Sequence, residues 1–399
     1  MDITIIPCKL HGTIHAIASK SQAHRLLICA AFADKETTLH CPETNQDIEA
    51  TADCLRSLGA EISRTIDSYI VQPITDIPKT ATLYCHESGS TLRFMLPVIG
   101  ALGVDATFML EGRLPYRPLS PLWEEMERHG CILTRPTKTT IRCCGKLQPG
   151  SYSIDGSVSS QFISGLLFAM TLIPGTNTLS VTGKLESKPY VNMTQKALMD
   201  FGVNTDNYSV SATLPLLSPG NICVEGDWSN AAFFLAAKSL GNDLTVTNLD
   251  QTSAQGDRAV TNILEQLSLH NATIDAADIP DLVPILAIVA AAKYGAIFTN
   301  IRRLRLKESD RVQTVCKMLE QFGVETNATE NTLQVYPGSF RGCSIDAAGD
   351  HRIAMSAGIA ATVANGPVII SGAQCVSKSY PSFWDDYRRV GGQYEQHIR

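Results

Sequence analysis

The side chains in this sequence best suited to chemistry are cations that stand beside helix-opening signals. Lys20 and Arg25 lie in SKSQAHR, Arg93 follows the turn SGS, Lys307 and Arg311 lie in RLKESDR, and His351 with Arg352 follows Asp350. A helix start presents unpaired N–H groups and about half a positive charge, so it favours anions before any side chain contributes. Several such starts, each with added Lys or Arg, imply a site for small carboxylates and phosphates. Gly89, between Ser88 and Ser90, would let a phosphate approach backbone N–H groups. Ser159, Ser160 and Gln161 offer hydroxyl and amide groups suited to a polyol or a phosphate. Arg117 in LPYRPLSP and Tyr190 in SKPY sit in Pro-containing loops.

Each segment taken alone also has a plainer reading. If Lys307 and Arg311 share one helix face they repel, and Glu308 is then the local salt-bridge partner. Lys20 and Arg25 fit a solvated first turn, one of the serines near position 159 fits a helix cap, and Gly89 fits an ordinary helix entry. Arg117 and Tyr190 fit a solvated charge and a packing ring.

The elements that must position these groups recur as a unit of about 70 residues. Six apolar helices open at Ser19, Ser88, Ser159, Asp227, Pro280 and Asp350, each expected to carry a small or polar cap. Strand-like segments follow them: TTLHC, ATFML, NTLSVTG, DLTVTNL, AIFTNI and PVIISG. A second, more amphipathic helix closes most units, as in LWEEMERHGC and VQTVCKMLEQFGV. This is repeated α/β with mixed sheets, divided three and three, with the chain expected to change lobe near Asp227. The strand ITIIP is expected to pair back into the second half, which gives a discontinuous lobe I of 1–18 plus 225–399 and a lobe II of 19–224.

Composition excludes several classes. The chain has 399 residues, 44% of them hydrophobic and 18% charged, enough for two substantial cores. A net charge of -6 argues against nucleic-acid binding by bulk charge. The start MDITIIP lacks a signal-peptide pattern, and the most apolar run, Leu282 to Ala292, is about half of the roughly 20 residues that span a bilayer. Twelve cysteines occur without a CxxC pair, and Cys29, Cys54 and Cys316 lie in apolar surroundings. A reducing cytoplasmic setting with no membrane partner is therefore expected. Cys143 and Cys144 are adjacent but have no ligand at metal-binding spacing, so no metal is expected.

Taken together, SKSQAHR, ESGSTLRF, YRPLSPL, GSVSSQF, ESKPY, IPD, LKESDR, GDHRIAM and SKSYPSFW resemble, in order and over nearly the whole chain, the enolpyruvyl transferases of the 5-enolpyruvylshikimate-3-phosphate synthase family. The resemblance implies an inside-out α/β barrel fold of two lobes, each of three βαβαββ repeats, with substrates in a cleft on which the lobes close. It implies transfer of the enolpyruvyl group of phosphoenolpyruvate to the 5-hydroxyl of shikimate 3-phosphate with release of phosphate, without a cofactor and by a monomer.

By the same resemblance, Lys20, Ser21, Arg25, Ser159, Ser160, Gln161, Ser187, Tyr190, Asp281 and Lys307 would hold shikimate 3-phosphate. Lys20, Gly89, Arg117, Gln161, Arg311, Arg352 and Lys378 would hold phosphoenolpyruvate. Asp281 would be the base, Glu308 the acid for C3, and Lys20 with His351 would assist. The chain departs from the family pattern at Glu87, Ser90, Phe94 and Arg303, where Asn, Thr, Pro and Asn are usual, so a reshaped phosphoenolpyruvate pocket is expected. Two alternatives are weighed against this. A UDP-N-acetylglucosamine enolpyruvyl transferase would usually carry a reactive Cys between Gly112 and Arg117, and none occurs there. A non-catalytic repeat binding module would be expected to show a basic stripe.

Overall fold

The computed structural model describes residues 1–211 and 215–397. Its chain divides into two compact units, one of Met1–Ile17 with Gly226–Arg399 and one of Ala18–Glu225. Each unit has its own hydrophobic core.

The helices begin where the sequence signals stand. Lys20–Ala31, Gly89–Leu102, Ser160–Leu172, Trp228–Ser239 and His351–Ala360 are capped by Ser19, Ser88, Ser159, Asp227 and Asp350, whose side chains accept from N–H groups of the first turn. Each such cap satisfies a donor that the helix itself cannot, for about 1 kcal/mol. The fifth helix, Val283–Ala292, differs from expectation: its cap residue is Leu282 and makes no side-chain capping bond. Pro284 at its start lacks an N–H, so fewer donors need a cap there. Asp281 is thus left to other partners. This helix is buried from Val283 to Ala291, which explains an apolar composition on every face. Among the described residues no helix is long and apolar enough to cross a membrane.

Among the described residues six sheets accompany the six apolar helices. In the Ala18–Glu225 unit, Thr80–His86 and Asp105–Leu110 pair in parallel across helix Gly89–Leu102, and the hairpin Cys131–Thr137 with Thr140–Gly145 completes the sheet. Ser151–Asp155 and Thr176–Thr182 repeat the parallel crossover around Ser160–Leu172. In the other unit, Ala272–Asp275 and Ala296–Thr299 do so around Val283–Ala292, and Cys343–Asp346 and Val368–Ser371 around His351–Ala360. The N-terminal strand Asp2–Ile6 lies between Val368–Ser371 and Gln393–His397, antiparallel to both.

The repeats at the two chain crossings exchange strands. Thr37–His40, which follows the first helix, takes Asn221–Cys223 as its parallel neighbour, while Asp243–Thr247, which follows the fourth, takes His11–His15. A helix needs a parallel strand on each side of its crossover, and at these two places the partner comes from far along the chain. Every crossover helix directs its N-terminus to the same end of its own strand pair, which is what gathers the cations of each unit.

Candidate active site

In the Ala18–Glu225 unit the first helix start carries two anchored cations. Lys20 Nζ donates to Asp47 Oδ2 at 2.9 Å, and Asp47 lies in the first turn of helix Gln46–Arg56. Arg25 is buried. Its Nε donates to Thr194 Oγ1 and its Nη2 to the Tyr190 carbonyl, both at 2.8 Å, and Nη1 reaches the Ser21 carbonyl. Phe94 lies beneath it, with the ring centroid 5.0 Å from the guanidinium carbon. Burial lowers the Arg25 pKa to about 10, opposed by Tyr190 and Cys29, so it remains a cation at neutral pH. An arginine has five N–H donors, and with three spent in this way two remain for a ligand.

At the second start a Cβ added to Gly89 would lie 2.6 Å from Arg117 Nη1 and 2.9 Å from Arg93 Nη1. Two guanidinium groups therefore stand where the helix offers free N–H groups, and only glycine leaves them room. Arg93 Nη1 donates to Gln161 Oε1 at 2.8 Å, and Gln161 Nε2 donates to Ser90 Oγ at 2.9 Å, which fixes the sense of the Gln161 amide. At the third start Ser159 caps the helix by accepting from the Gln161 N–H at 3.3 Å, which leaves its hydroxyl proton to donate. Ser160 and Ser187 are buried beside it in sequence or at the next helix entry. Ser187 adopts φ 55°, a left-handed turn that leads into helix Lys188–Asp200 and its Tyr190.

In the other unit Asp281 collects three cations. Its Oδ1 lies 2.6 Å from Arg311 Nη1 and 3.3 Å from Lys307 Nζ, and its Oδ2 lies 3.4 Å from Arg352 Nη2. Arg311 also reaches Glu308 Oε2 at 2.6 Å through Nη2 and Asp350 Oδ2 at 2.8 Å through Nε. Ser309 Oγ donates to the same Asp350 oxygen at 2.9 Å. Arg352 donates through Nη1 to the Asp281 carbonyl at 3.1 Å and through Nη2 to Ser229 Oγ at 2.7 Å. Lys378 Nζ reaches the Gly349 carbonyl at 3.2 Å, on the turn that ends in Asp350, and His351 is buried at the helix start that follows.

Exposure divides this cluster into a base and a face. The Arg311 and Asp350 side chains are 1% and 0% exposed, whereas Asp281, Lys307 and Glu308 are 19%, 21% and 26% exposed. The groups a solute can reach are thus two carboxylates and one ammonium, held on a buried arginine. Burial opposes the charge of Arg311, but Asp350, Glu308 and Asp281 raise its pKa well above the usual value. Burial likewise opposes ionisation of Asp350, yet Arg311 keeps it below the usual carboxylate range. Burial lowers the Lys307 ammonium to about 8; Asp281 and Glu308 oppose that shift, and Arg311 and Arg303 add to it. Lysines brought near neutrality in this way suit proton transfer or charge switching.

The condition under which Lys307 and Arg311 would share one helix face is not met. Lys307 follows the short helix Arg302–Leu306 in extended backbone, and helix Arg311–Phe322 begins only at Arg311. Both cations turn to Asp281, so a carboxylate separates them where a common face would have set them in repulsion. The salt bridge of Arg311 to Glu308 is present, but it is one part of the larger cluster.

Several residues here were given no role from sequence. Asp47, Thr194, Ser229 and Asp350 position Lys20, Arg25, Arg352 and Arg311, and Arg93 holds Gln161. Arg93 carried a signal, its place after SGS, and Asp350 carried one as a helix opener; Asp47, Thr194 and Ser229 are ordinary polar residues away from their partners in the chain. At the departures from the family pattern, Ser90 accepts from Gln161, Glu87 packs against Gly112, and Phe94 lies between Arg25, His24 and Phe168. Among the described residues no group of three His, Cys, Asp or Glu side chains is arranged to hold a metal ion.

Comparison with known proteins finds relatives along nearly the whole chain. The family model of EPSP synthase (3-phosphoshikimate 1-carboxyvinyltransferase) matches residues 5–277 and 266–387. The 3-phosphoshikimate 1-carboxyvinyltransferase of Clostridium kluyveri is 35% identical, covering 99% of this chain and 98% of that protein. The protein of the same name from Clostridium novyi is 34% identical, covering 98% of each. An EPSP synthase from Acinetobacter baumannii shares the fold, with a TM-score of 0.81 at 23% identity over 99% of this chain and all of that one. So does the enolpyruvyl transferase NikO from Streptomyces tendae, with a TM-score of 0.76 at 17% identity over 99% and 98%. By sequence match along its length and by fold, the chain belongs to the EPSP synthase (3-phosphoshikimate 1-carboxyvinyltransferase) family.

Proposed function

We propose that this chain transfers the enolpyruvyl group of phosphoenolpyruvate to the 5-hydroxyl of shikimate 3-phosphate and releases phosphate. The observation that carries the reading is the guanidinium of Arg311, which holds Asp281 and Glu308 at 2.6 Å each, with Lys307 on the same aspartate. Addition and elimination across a C=C bond need two proton-transfer groups, and a pair of reachable carboxylates on a fixed cation supplies them.

In the first step the substrate oxygen bonds to C2 of phosphoenolpyruvate while its proton passes to Asp281. Glu308 delivers a proton to C3, which becomes a methyl group. In the second step C3 gives a proton back to Glu308, the double bond re-forms, the bond from C2 to the phosphate oxygen breaks, and the departing phosphate takes up the proton held by Asp281. Lys20 and His351 assist these transfers, and Lys307 orients the acceptor.

Lys20, Ser21, Arg25, Ser159, Ser160, Gln161, Ser187 and Tyr190 bind shikimate 3-phosphate, together with Asp281 and Lys307. The two uncommitted donors of Arg25 support its part. Lys20, Gly89, Arg117, Gln161, Arg311, Arg352 and Lys378 bind phosphoenolpyruvate. Arg352 Nε is buried without a partner among the described residues, an unspent donor that suits an anion. Arg311 can take the substrate carboxylate in exchange for Glu308, which frees Glu308 to act as an acid. We infer a monomeric cytoplasmic enzyme; twelve free cysteines suit a reducing compartment.

The test is phosphate release from the purified protein given phosphoenolpyruvate, shikimate 3-phosphate, or both. Release only from the mixture is expected. Release from phosphoenolpyruvate alone, or none from the mixture, would overturn the reading.

A further inference from the structure

His24, Thr51, Thr91 and Ser88 have no part in the substrate roles assigned above, yet these buried side chains of the Ala18–Glu225 unit are joined end to end. His24 Nδ1 lies 2.7 Å from Thr51 Oγ1, Thr51 Oγ1 lies 2.7 Å from Thr91 Oγ1, and Thr91 Oγ1 donates to Ser88 Oγ at 2.8 Å. His24 belongs to helix Lys20–Ala31, Thr51 to helix Gln46–Arg56, and Ser88 and Thr91 to the start of helix Gly89–Leu102. Ser88 Oγ also accepts from the Thr91 N–H at 3.3 Å, the bond that caps the helix. A second acceptor within reach of the Thr91 hydroxyl, at 3.4 Å, is the carbonyl of Asp47, the residue whose carboxylate holds Lys20.

The chain has one direction, because each hydroxyl has a single proton. Thr91 sends its proton to Ser88 or to the Asp47 carbonyl, so from Thr51 it can only accept. Thr51, its own proton spent, can only accept from His24, and the imidazole must carry its hydrogen on Nδ1. Burial, then Lys20 and Arg25, hold the His24 pKa well below the usual value, so the ring is neutral at neutral pH and Nε2 is bare. That nitrogen is buried without a partner among the described residues. A bare lone pair beside two cations costs less there than an orphaned N–H would. Phe94 meets the imidazole edge to face, with ring centroids 6.3 Å apart.

We propose that His24, Thr51 and Thr91 are positioning residues for the helix start at Gly89: a one-way chain of donors, rooted in the helix of Lys20 and Arg25, that holds the Ser88 cap. The proposal rests on the reading that Gly89 and Arg117 bind phosphoenolpyruvate. With the Thr91 N–H satisfied by the cap, the N–H groups of Gly89 and Ser90 are the ones left for an anion. Arg93 Nη1 and Arg117 Nη1 stand beside the same turn, so a shift of the cap moves the backbone donors relative to both guanidinium groups.

The test compares Thr91→Val, Thr51→Val, the two combined, Thr91→Ser and Arg117→Lys with the wild type. KM for each substrate, kcat and the thermal midpoint are measured for each. Thr91→Val keeps the shape and removes the junction; it should raise the phosphoenolpyruvate KM about fivefold, the loss expected for one hydrogen bond between neutral groups, and leave the shikimate 3-phosphate KM unchanged. Thr51→Val should raise it less. The combined variant should be no worse than Thr91→Val alone, because a single chain is cut twice. Thr91→Ser restores the hydroxyl and should recover most of the affinity.

The wild type carries a separate readout. With isotope-labelled histidine, the ring-nitrogen NMR signals of His24, identified by their loss in His24→Asn, should show hydrogen on Nδ1 and a bare Nε2 at neutral pH. Hydrogen on Nε2 would reverse the chain and overturn the proposal. So would unchanged KM values in Thr91→Val while Arg117→Lys loses phosphoenolpyruvate affinity, or single effects that multiply in the combined variant. An unchanged KM in Arg117→Lys would instead remove the anion site at Gly89, and the purpose of the chain with it. If Thr91→Val does not fold, Thr51→Val and the His24 signals carry the test.

Discussion

Replacing Asp281 by Asn should separate chemistry from binding. The amide keeps the shape of the side chain and an oxygen for Arg311 Nη1, now 2.6 Å away, but it cannot take a proton from the substrate hydroxyl. Loss of a general base costs about 10²–10⁴ in rate; a loss near 10³ corresponds to about 4 kcal/mol in the barrier. Binding should move the other way. The carboxylate lies 3.3 Å from Lys307 Nζ and 3.4 Å from Arg352 Nη2. At an effective dielectric of about 20 each such pair is worth roughly 5 kcal/mol of gross attraction. Removing the negative charge frees those cations for anionic substrates, so both KM values should stay constant or fall. Steady-state phosphate release gives kcat and KM, and calorimetric titration with shikimate 3-phosphate gives affinity directly. A kcat within tenfold of the wild type, or a defect confined to KM, would refute the reasoning.

Two further outcomes follow from the same geometry. With the Lys307 ammonium lowered to about 8, kcat/KM for shikimate 3-phosphate should decline as pH rises through that value, because the cation is present below it and lost above it. Lys307→Arg, which stays charged, should abolish that limb of the pH profile; a limb that persists would assign it elsewhere. Gly89→Ala places a methyl group 2.6 Å from Arg117 Nη1 and 2.9 Å from Arg93 Nη1, so the guanidinium groups must retreat. The phosphoenolpyruvate KM should rise about tenfold, roughly one charged hydrogen bond, while the thermal midpoint holds, since alanine suits a helix better than glycine. An unchanged KM would count against Arg117 and Gly89 as a shared anion site.

The fold was legible in sequence where its causes are local. A serine or aspartate before an apolar run is itself the cap that starts the helix, so Ser19, Ser88, Ser159, Asp227 and Asp350 announce their helices without knowledge of the rest. Pro280 marks its helix only approximately, because Leu282 provides no side-chain cap and Asp281 is drawn instead to Arg311. The exchange of Asn221–Cys223 and His11–His15 between repeats leaves no trace in any single segment; it is a matter of which strand closes which sheet.

The site divides in the same way. Lys20, Arg25, Arg311 and Arg352 are visible because they stand at helix starts. Their holders are not, because Thr194 sits 169 residues from Arg25 and Ser229 sits 123 from Arg352, and nothing in TQK or WSN marks a hydrogen bond to either. The placement of Lys307 depends on where the helix begins. A spacing of four means a shared face only within one helix, and the break at Lys307 turns repulsion into joint attachment to Asp281.

The role of Glu308 as the acid for C3 has a direct measurement. The reaction is run in heavy water with both substrates, and deuterium at the methylene carbon of the enolpyruvyl product is measured by mass spectrometry and NMR. Transient protonation of C3 should place solvent deuterium there in the wild type, and Glu308→Gln should bind both substrates yet show neither exchange nor turnover. Product formed without deuterium, or exchange in Glu308→Gln at the wild-type rate, would contradict the assignment.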